Sequence, residues 1–180
     1  MDKPHDSSKA NGMDDRTVSF QIVQPSDIFF AWIETAFAGR ISALYAHRCT
    51  TLQKLQQHGD RYCEIMFVNQ QPAGFIIYKK ALQQEFGLKN AFELKTLFVF
   101  DPEKYVRQGL GSLLFDRAAA LAQEKQAACT YSTVVEDNVA MVACAIKNGF
   151  HVGLHGRILT KRQRKYYPLE ENEVLIIKYS

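Results

Sequence analysis

The spacing of apolar residues changes between positions 92 and 125, from the pattern of a strand to that of a helix. Residues 92–99 are mostly apolar, broken by Glu93 and Lys95, which predicts a strand with one wetter face at its start. Asp101 and Pro102 end this strand, because proline donates no backbone hydrogen bond and biases the preceding residue away from helix. Apolar residues then recur on one helical face, at Leu110, Leu113, Leu114, Ala118 and Leu121.

Strand and helix patterns continue on both sides of this unit. Strands are predicted at residues 17–23, 62–69, 73–80, 92–99, 129–135, 150–154 and 173–179. Helices are predicted near residues 27–37, 41–57, 110–125 and 138–149. The connection 70–72 joins the second and third strands as a hairpin. This order of elements predicts an α/β fold, with a mixed sheet of six to seven strands and helices on both faces.

The helix near residues 138–149 has clear boundaries. Asp137 or Asn138 is its predicted cap, since both side chains accept hydrogen bonds from the first turn of a helix. Gly149 is a left-handed terminator. Its alanines, together with Met141, Val142 and Ile146, are predicted to pack inward.

Composition indicates one ordinary globular domain. Residues 1–16 carry almost nothing to bury, which predicts a disordered tail before a single domain at 17–180. With 180 residues, of which 47% are hydrophobic, the chain can bury a full core. The net charge of +3 is too small to require a nucleic-acid partner, and it does not exclude an anionic cofactor.

Neither a membrane span nor a metal site is expected. The apolar runs are too short to cross a bilayer, and residues 1–16 lack a signal-peptide core, so a cytoplasmic location is expected. The cysteines have no paired spacing, which favours buried free thiols over disulfides or a metal centre; they are Cys49, Cys63, Cys129 and Cys144.

The loop between the central strand and its helix has the features of a phosphate site. Residues 107–112 open the helix, where backbone N–H groups lack internal partners and the dipole is positive. Gly109 and Gly111 let an anion approach the backbone closely, and Arg107 adds charge. The loop is therefore interpreted as a pyrophosphate cradle, although small residues at a helix start also serve packing alone.

Two stretches resemble the GCN5-related N-acetyltransferases (GNAT). Glu93-Leu-Lys-Thr-Leu-Phe-Val, with Pro102 and Arg107-Gln-Gly-Leu-Gly-Ser-Leu-Leu after it, is similar to that family's central motif. Residues 138–150, which begin with Asn138 and end in Gly-Phe, resemble its later helix. The resemblance implies that the fourth and fifth strands splay apart around the pantetheine arm of acetyl-coenzyme A. It also implies acetyl transfer to a primary amine of a small molecule, peptide or protein, with a homodimer possible.

The same resemblance assigns the residues that contact the co-substrate. Backbone groups of Leu97, Phe98 and Val99 are expected to hold the pantetheine. Arg107 supplies charge beside the pyrophosphate, and the Asn138 side chain contacts the cofactor. The residues expected around the pyrophosphate are Gln108, Gly109, Leu110, Gly111 and Ser112.

Glu93 is the first candidate for the general base, because it lies on the strand that presents the thioester. Strand periodicity places Glu93, Lys95, Leu97 and Val99 on one face, so a water relay or a bulge is needed to bring Glu93 to the amine. An exposed strand carboxylate or an anchor for the substrate ammonium is the alternative role. Glu136 is the second candidate, although it also suits the first turn of a helix.

The chain departs from the family pattern where its general acid often lies. The tyrosine usually found seven residues after the helix-opening Asn is replaced by Ala145. Tyr131, Tyr166 or Tyr167 could fill this role, or the thiolate could leave unaided. A non-catalytic acyl-coenzyme A-binding module is the competing function.

The acceptor is expected to bind near the two helices between the first two strands. Groove candidates there are Trp32, Phe37, Tyr45 and His47, with core packing the alternative for Trp32 and Phe37. A basic run near the C-terminus comprises Lys161, Arg162, Arg164 and Lys165. Such a run suits a solvated loop, or a toxin-type acetyltransferase that acts on aminoacyl-tRNA, with Tyr166 and Tyr167 stacking on bases or closing the groove.

Overall fold

The computed structural model describes residues 16–24, 27–28, 59–101, 103–105 and 107–180. Seven strands form one mixed sheet in the order β1-β2-β3-β4-β5-β7-β6. The strands are β1 (Val18–Val23), β2 (Arg61–Val68), β3 (Gln71–Lys79), β4 (Ala91–Val99), β5 (Cys129–Val135), β6 (His151–His155) and β7 (Glu173–Tyr179). The described helices of regular length are α1 (Leu110–Glu124) and α2 (Val139–Lys147). The predicted α/β fold, with its mixed sheet, is confirmed.

Some predictions fall on residues that the structure does not describe. The helices predicted near 27–37 and 41–57 lie outside the described residues, apart from Asp27 and Ile28. The groove candidates Trp32, Phe37, Tyr45 and His47 also lie outside them, as does Cys49.

The hairpin between β2 and β3 turns one residue earlier than predicted. Asn69 and Gln70 both have positive φ angles, of 49° and 63°, as the two central residues of a tight hairpin turn require. The connection predicted at 70–72 is therefore wrong, because Gln71 and Pro72 already belong to β3. The register shifts between Met66 and Phe67, and a proline is tolerated at such an irregularity.

The sheet buries apolar side chains on both faces. On β3, Ile76 and Tyr78 pack beneath α1, whereas Phe75 and Ile77 belong to a separate cluster on the other face. The predicted apolar face of α1 is confirmed, since Leu110, Leu114, Ala118 and Leu121 are buried. A third cluster, around Ala91 and Tyr131, lies under the loop before β7.

Helix α2 packs on α1 through fewer residues than predicted. Asn138 is the cap, since its Oδ1 accepts from the backbone N–H of Met141 at 3.2 Å. Met141 and Val142 pack against the core, but Ile146 is 54% exposed, so its predicted inward packing is wrong. A nine-residue helix lying on one neighbour turns only one side inward, and that side carries Ala145. Gly149 has φ 86°, which confirms it as the left-handed terminator.

A buried carboxylate ties α1 to the sheet. Glu64 on β2 accepts from Arg117 Nε at 2.7 Å, from Arg117 Nη2 at 3.1 Å and from the Tyr78 hydroxyl at 2.7 Å. These hydrogen bonds raise the pKa of the Arg117 guanidinium. Burial, together with the bond to Glu64, raises the pKa of Tyr78. The network fixes the helix that carries the phosphate loop.

Candidate functional site

A cleft opens between β4 and β5 in the middle of the sheet. The two strands are parallel and pair only between Ala91–Glu93 and Cys129–Tyr131. Beyond these residues β4 continues to Val99 and β5 to Val135, so the strands diverge. The predicted splay is confirmed, and Leu97, Phe98 and Val99 lie on the β4 side of the opening.

A β-bulge at Lys95 changes which β4 residues share a face. Ile77 pairs with Thr96 and Tyr78 pairs with Leu94, so Lys95 is the extra residue. Leu94 and Leu97 consequently both face the core beneath α1, although they are three positions apart. The prediction that Glu93 shares a face with Leu97 and Val99 is therefore wrong, because the bulge inverts the alternation.

Glu93 lies at the point where the splay begins, opposite Tyr131. Its side chain is only 6% exposed, and its Oε1 accepts from Lys95 Nζ at 2.5 Å. A nearly buried carboxylate beside the opening of the cleft thus already holds a primary ammonium group.

Tyr131 is placed to support this carboxylate. Its side chain is fully buried, and its hydroxyl donates to Glu85 Oε2 at 3.2 Å. Burial raises the pKa of Tyr131, and the carboxylates of Glu93 and Glu85 raise it further. Because a raised pKa makes the phenol a weaker acid, the proposed role of Tyr131 as the general acid gains no support from this environment.

Glu136 lies apart from Glu93. It follows the end of β5, about 16 Å from Tyr131 along the chain at roughly 3.3 Å per residue. Its Oε1 pairs with His155 Nδ1 at 3.3 Å and with Arg157 Nη2 at 3.2 Å. Glu93 thus lies opposite the paired start of β5, whereas Glu136 follows the far end of β5, where it pairs with Arg157 and lies next to His155.

The phosphate loop begins α1 with two left-handed residues. Gly109 has φ 75°, and a Cβ placed on it would meet nothing within 4 Å. Arg107 has φ 57°, a conformation that non-glycine residues seldom adopt. The intrahelical bonds start with Leu113 N–H to Gly109 carbonyl at 3.1 Å. Helix geometry therefore leaves the N–H groups of Leu110, Gly111 and Ser112 to an external acceptor.

Gly111 has a packing role beside any binding role. A Cβ on Gly111 would lie 2.9 Å from Cys144 Sγ on α2. Asn148 Nδ2 donates to Ser112 Oγ at 3.2 Å, which further joins the end of α2 to the loop. A larger residue at 111 would thus disturb the helix contact as well as the cradle.

Arg16 is a loop residue that the sequence pattern missed. Its Nη1 donates to the Gln108 carbonyl at 2.9 Å, which places a second guanidinium on the phosphate loop. Arg16 falls in the tail that is predicted to be disordered, because no local pattern links it to position 108. The backbone of its neighbour Thr17 donates to Asn69 Oδ1 at 3.0 Å, which anchors this part of the chain.

The comparisons with known proteins agree with this geometry. A model of the acetyltransferase (GNAT) family matches residues 21–150. The chain belongs to the GNAT family. It is accordingly an acyltransferase, and the family supports acetyl transfer as its reaction. No curated protein matches the chain in a sequence search.

Solved GNAT-fold structures superpose on most of the chain. An acetyltransferase from Thermus thermophilus has a TM-score of 0.66 and 19% identity, covering 91% of this chain and 97% of that one. A GNAT-family acetyltransferase from Staphylococcus aureus has a TM-score of 0.65 and 15% identity, covering 89% and 99%. PaiA N-acetyltransferase from Thermoplasma acidophilum, solved with coenzyme A, has a TM-score of 0.61 and 15% identity, covering 91% and 99%.

Ala145, which stands where GNAT proteins often have a tyrosine, is buried on the inner side of α2. Ala145 is 0% exposed, and its carbonyl accepts from the Phe150 N–H at 3.0 Å. Of the tyrosines named as substitutes, Tyr166 is exposed and Tyr167 is half-buried. The exposure of Tyr166 and Tyr167 does not place either hydroxyl in the cleft, so a general-acid role for these tyrosines stays a prediction.

The basic run of this GNAT chain lies on the long connection between β6 and β7. The two ends of this connection pack tightly at Gly156, because a Cβ there would lie 1.7 Å from the Glu170 carbonyl oxygen. Arg164 turns inward and donates to the Gly156 carbonyl at 3.3 Å. Lys161, Arg162 and Lys165 are exposed, as expected for a solvated loop.

The described part of the chain shows neither a metal cluster nor a membrane-spanning helix. Among those residues no group of three or more His, Cys, Asp or Glu side chains is placed to hold a metal ion. Within the same ranges, none of the helices has both the length and the apolar character that a membrane crossing needs. Cys63 and Cys129 are buried free thiols as predicted, and Cys144 is a partly buried one.

Proposed function

We propose that this GNAT protein transfers the acetyl group of acetyl-coenzyme A to a primary amine of a small molecule, peptide or protein. The observation that carries the proposal is the splay of β4 from β5 beside the glycine-bearing start of α1, in a chain of the GNAT family. Glu93 lies beside the opening of this cleft and is the carboxylate proposed to receive the acceptor ammonium. The β4 residues that follow are those assigned to the thioester.

Glu93 is the proposed general base. An ammonium cannot attack a thioester until it loses a proton, and a nearly buried carboxylate beside the acceptor can remove it. The neutral amine then attacks the carbonyl carbon, and the coenzyme A thiolate leaves from the tetrahedral intermediate. Backbone N–H groups of β4 are the proposed donors to the oxyanion.

The phosphate loop is the proposed anchor for the coenzyme A portion. The fit is supported by the open space beside Gly109 and by the three unpaired N–H groups of the first helical turn. Arg107 and Arg16 add positive charge on the loop. Leu97, Phe98 and Val99 are proposed to hold the pantetheine, and Asn138 to contact the cofactor from the start of α2.

Arg107→Gly separates binding from backbone strain. Glycine adopts the φ of 57° at position 107 freely, so the substitution should not lower the melting temperature. Loss of a charge-assisted hydrogen bond, worth about 1.5–3 kcal/mol, should weaken coenzyme A binding roughly tenfold or more in calorimetry. Arg107→Lys keeps the charge and should lose less of the affinity for coenzyme A. An equal loss of affinity for pantetheine, which has no pyrophosphate, would contradict the assignment.

Turnover tests the proposed reaction directly. Purified protein, acetyl-coenzyme A and a panel of primary amines should release free thiol at a rate that depends on the amine. Cofactor binding without amine-dependent thiol release would instead support the acyl-coenzyme A-binding module. That second function has one observation in its favour, since the buried Ala145 offers no hydroxyl for the leaving thiolate.

A further inference from the structure

The Lys95 ammonium pairs with the carboxylate that is proposed to take a proton from the acceptor. Its Nζ lies 2.5 Å from Glu93 Oε1, and its side chain is 27% exposed, so it reaches solvent as well as the carboxylate. Lys95 is the bulged residue of β4, and the bulge places it outside the regular alternation of the strand. A flexible four-carbon stem allows its amine to move without displacing the backbone.

Lys95 lies on the strand that is proposed to hold the thioester. It precedes Leu97 by two residues, so the backbones of the two residues are at most about 7 Å apart. A lysine amine that pairs with the proposed base and lies on the same strand as the proposed thioester contacts has the features of an acceptor. We therefore propose that Lys95 is itself an acceptor, and that the protein acetylates this residue from acetyl-coenzyme A.

This inference rests on the proposed function, because it uses the same base and the same acetyl donor. Glu93 takes one proton from the Lys95 ammonium, and the neutral nitrogen attacks the thioester carbonyl. An N–C amide bond forms, the C–S bond breaks, and the electron pair leaves with the thiolate. The nitrogen loses a second proton from the intermediate, the thiolate takes up one proton, and one proton passes to solvent.

Four other described lysines are held differently. Lys79 pairs with Asp60, Lys125 donates to the Lys80 carbonyl at 2.7 Å, and Lys178 donates to the Asn148 carbonyl at 3.0 Å. Lys80 lies over the Tyr62 ring. Among the described lysines, the contact with Glu93 belongs to Lys95. Self-acetylation should therefore be selective for Lys95.

Acetylation at Lys95 has a consequence for external acceptors. The acetylated side chain carries no charge, so Glu93 loses its internal ammonium partner. The carboxylate then becomes available to an ammonium that enters the cleft. Self-acetylation is thus expected to raise the rate with an external amine.

Intact-mass measurement and peptide mapping test the proposal. Wild-type protein incubated with acetyl-coenzyme A and no amine should gain the mass of one acetyl group, mapped to Lys95. Lys95→Arg, which keeps the charge, should abolish this gain, whereas Lys79→Arg on the neighbouring strand should not. Glu93→Gln should slow it about 10²-fold. Urea-unfolded protein measures purely chemical acetylation, and melting temperatures show that the variants fold.

The possible outcomes separate this inference from the proposed function. Amine-dependent thiol release without acetylation at Lys95 would overturn the inference and leave the proposed function standing. Acetylation spread over exposed lysines at the rate of the unfolded protein would overturn the inference too. Acetylation of Lys95 at an unchanged rate in Glu93→Gln would show that Glu93 is not the base, and it would overturn that role in both the inference and the proposed function.

Discussion

Replacing Glu93 with Gln is expected to lower kcat with an amine acceptor about 10²-fold at neutral pH. The amide keeps the shape of the carboxylate but cannot take a proton from the acceptor. The hydrogen bond from Lys95 can be retained by the amide oxygen, so the fold around the bulge should persist. Steady-state thiol release, with circular dichroism on the same samples, gives both quantities.

The pH dependence of this loss distinguishes a base from a structural residue. An acceptor amine with the ordinary pKa of lysine, about 10.4, becomes neutral in solution as the pH rises toward that value. The variant needs no base for a neutral amine, so the ratio of wild-type to variant kcat should shrink with rising pH. A structural defect would leave the ratio constant.

Two other results would reassign Glu93. A rise in KM with unchanged kcat would make it an anchor for the substrate ammonium. A normal rate in Glu93→Gln together with a large loss in Glu136→Gln would move the base to the far end of β5.

Replacing Arg117 with Met is expected to reduce the free energy of unfolding by about 3 kcal/mol, because it leaves the Glu64 carboxylate buried without its cation. The Glu64 side chain is only 2% exposed, and Arg117 supplies two of its hydrogen bonds. Methionine retains much of the apolar stem of Arg117, although it loses the guanidinium that lies over the Phe20 ring. Urea denaturation followed by circular dichroism measures the difference.

The second carboxylate near Arg117 supplies a matched control. Glu124 Oε1 lies 3.4 Å from Arg117 Nη1 and is largely exposed, so Glu124→Gln should cost less than about 1 kcal/mol. Adding Glu64→Gln to the Arg117→Met chain should recover most of the loss, since a neutral amide is cheaper to bury than an unpaired carboxylate. Equal effects of the Arg117 and Glu124 changes would show that burial of Glu64 is not the cause.

The sequence alone determined those features that depend on residues near each other in the chain. The periods of apolar positions identified all seven strands and the face of α1, because alternation and helical spacing are local properties. The arginine and the two glycines of the phosphate loop were recognisable because they open a helix directly after a strand. The cap at Asn138 and the terminator at Gly149 follow from the chemistry of single residues.

Only the tertiary structure decided the details of the site, since they depend on pairing between distant segments. The bulge at Lys95 arises from the register of β4 against β3, and it reverses the face on which Leu97 lies relative to Glu93. The contact of Arg16 with Gln108 joins residues 92 positions apart. The position of Tyr131 beside Glu93 follows from the three-residue pairing of β4 with β5. No period in the sequence records these contacts, because strand register is set by the packing of whole strands against each other.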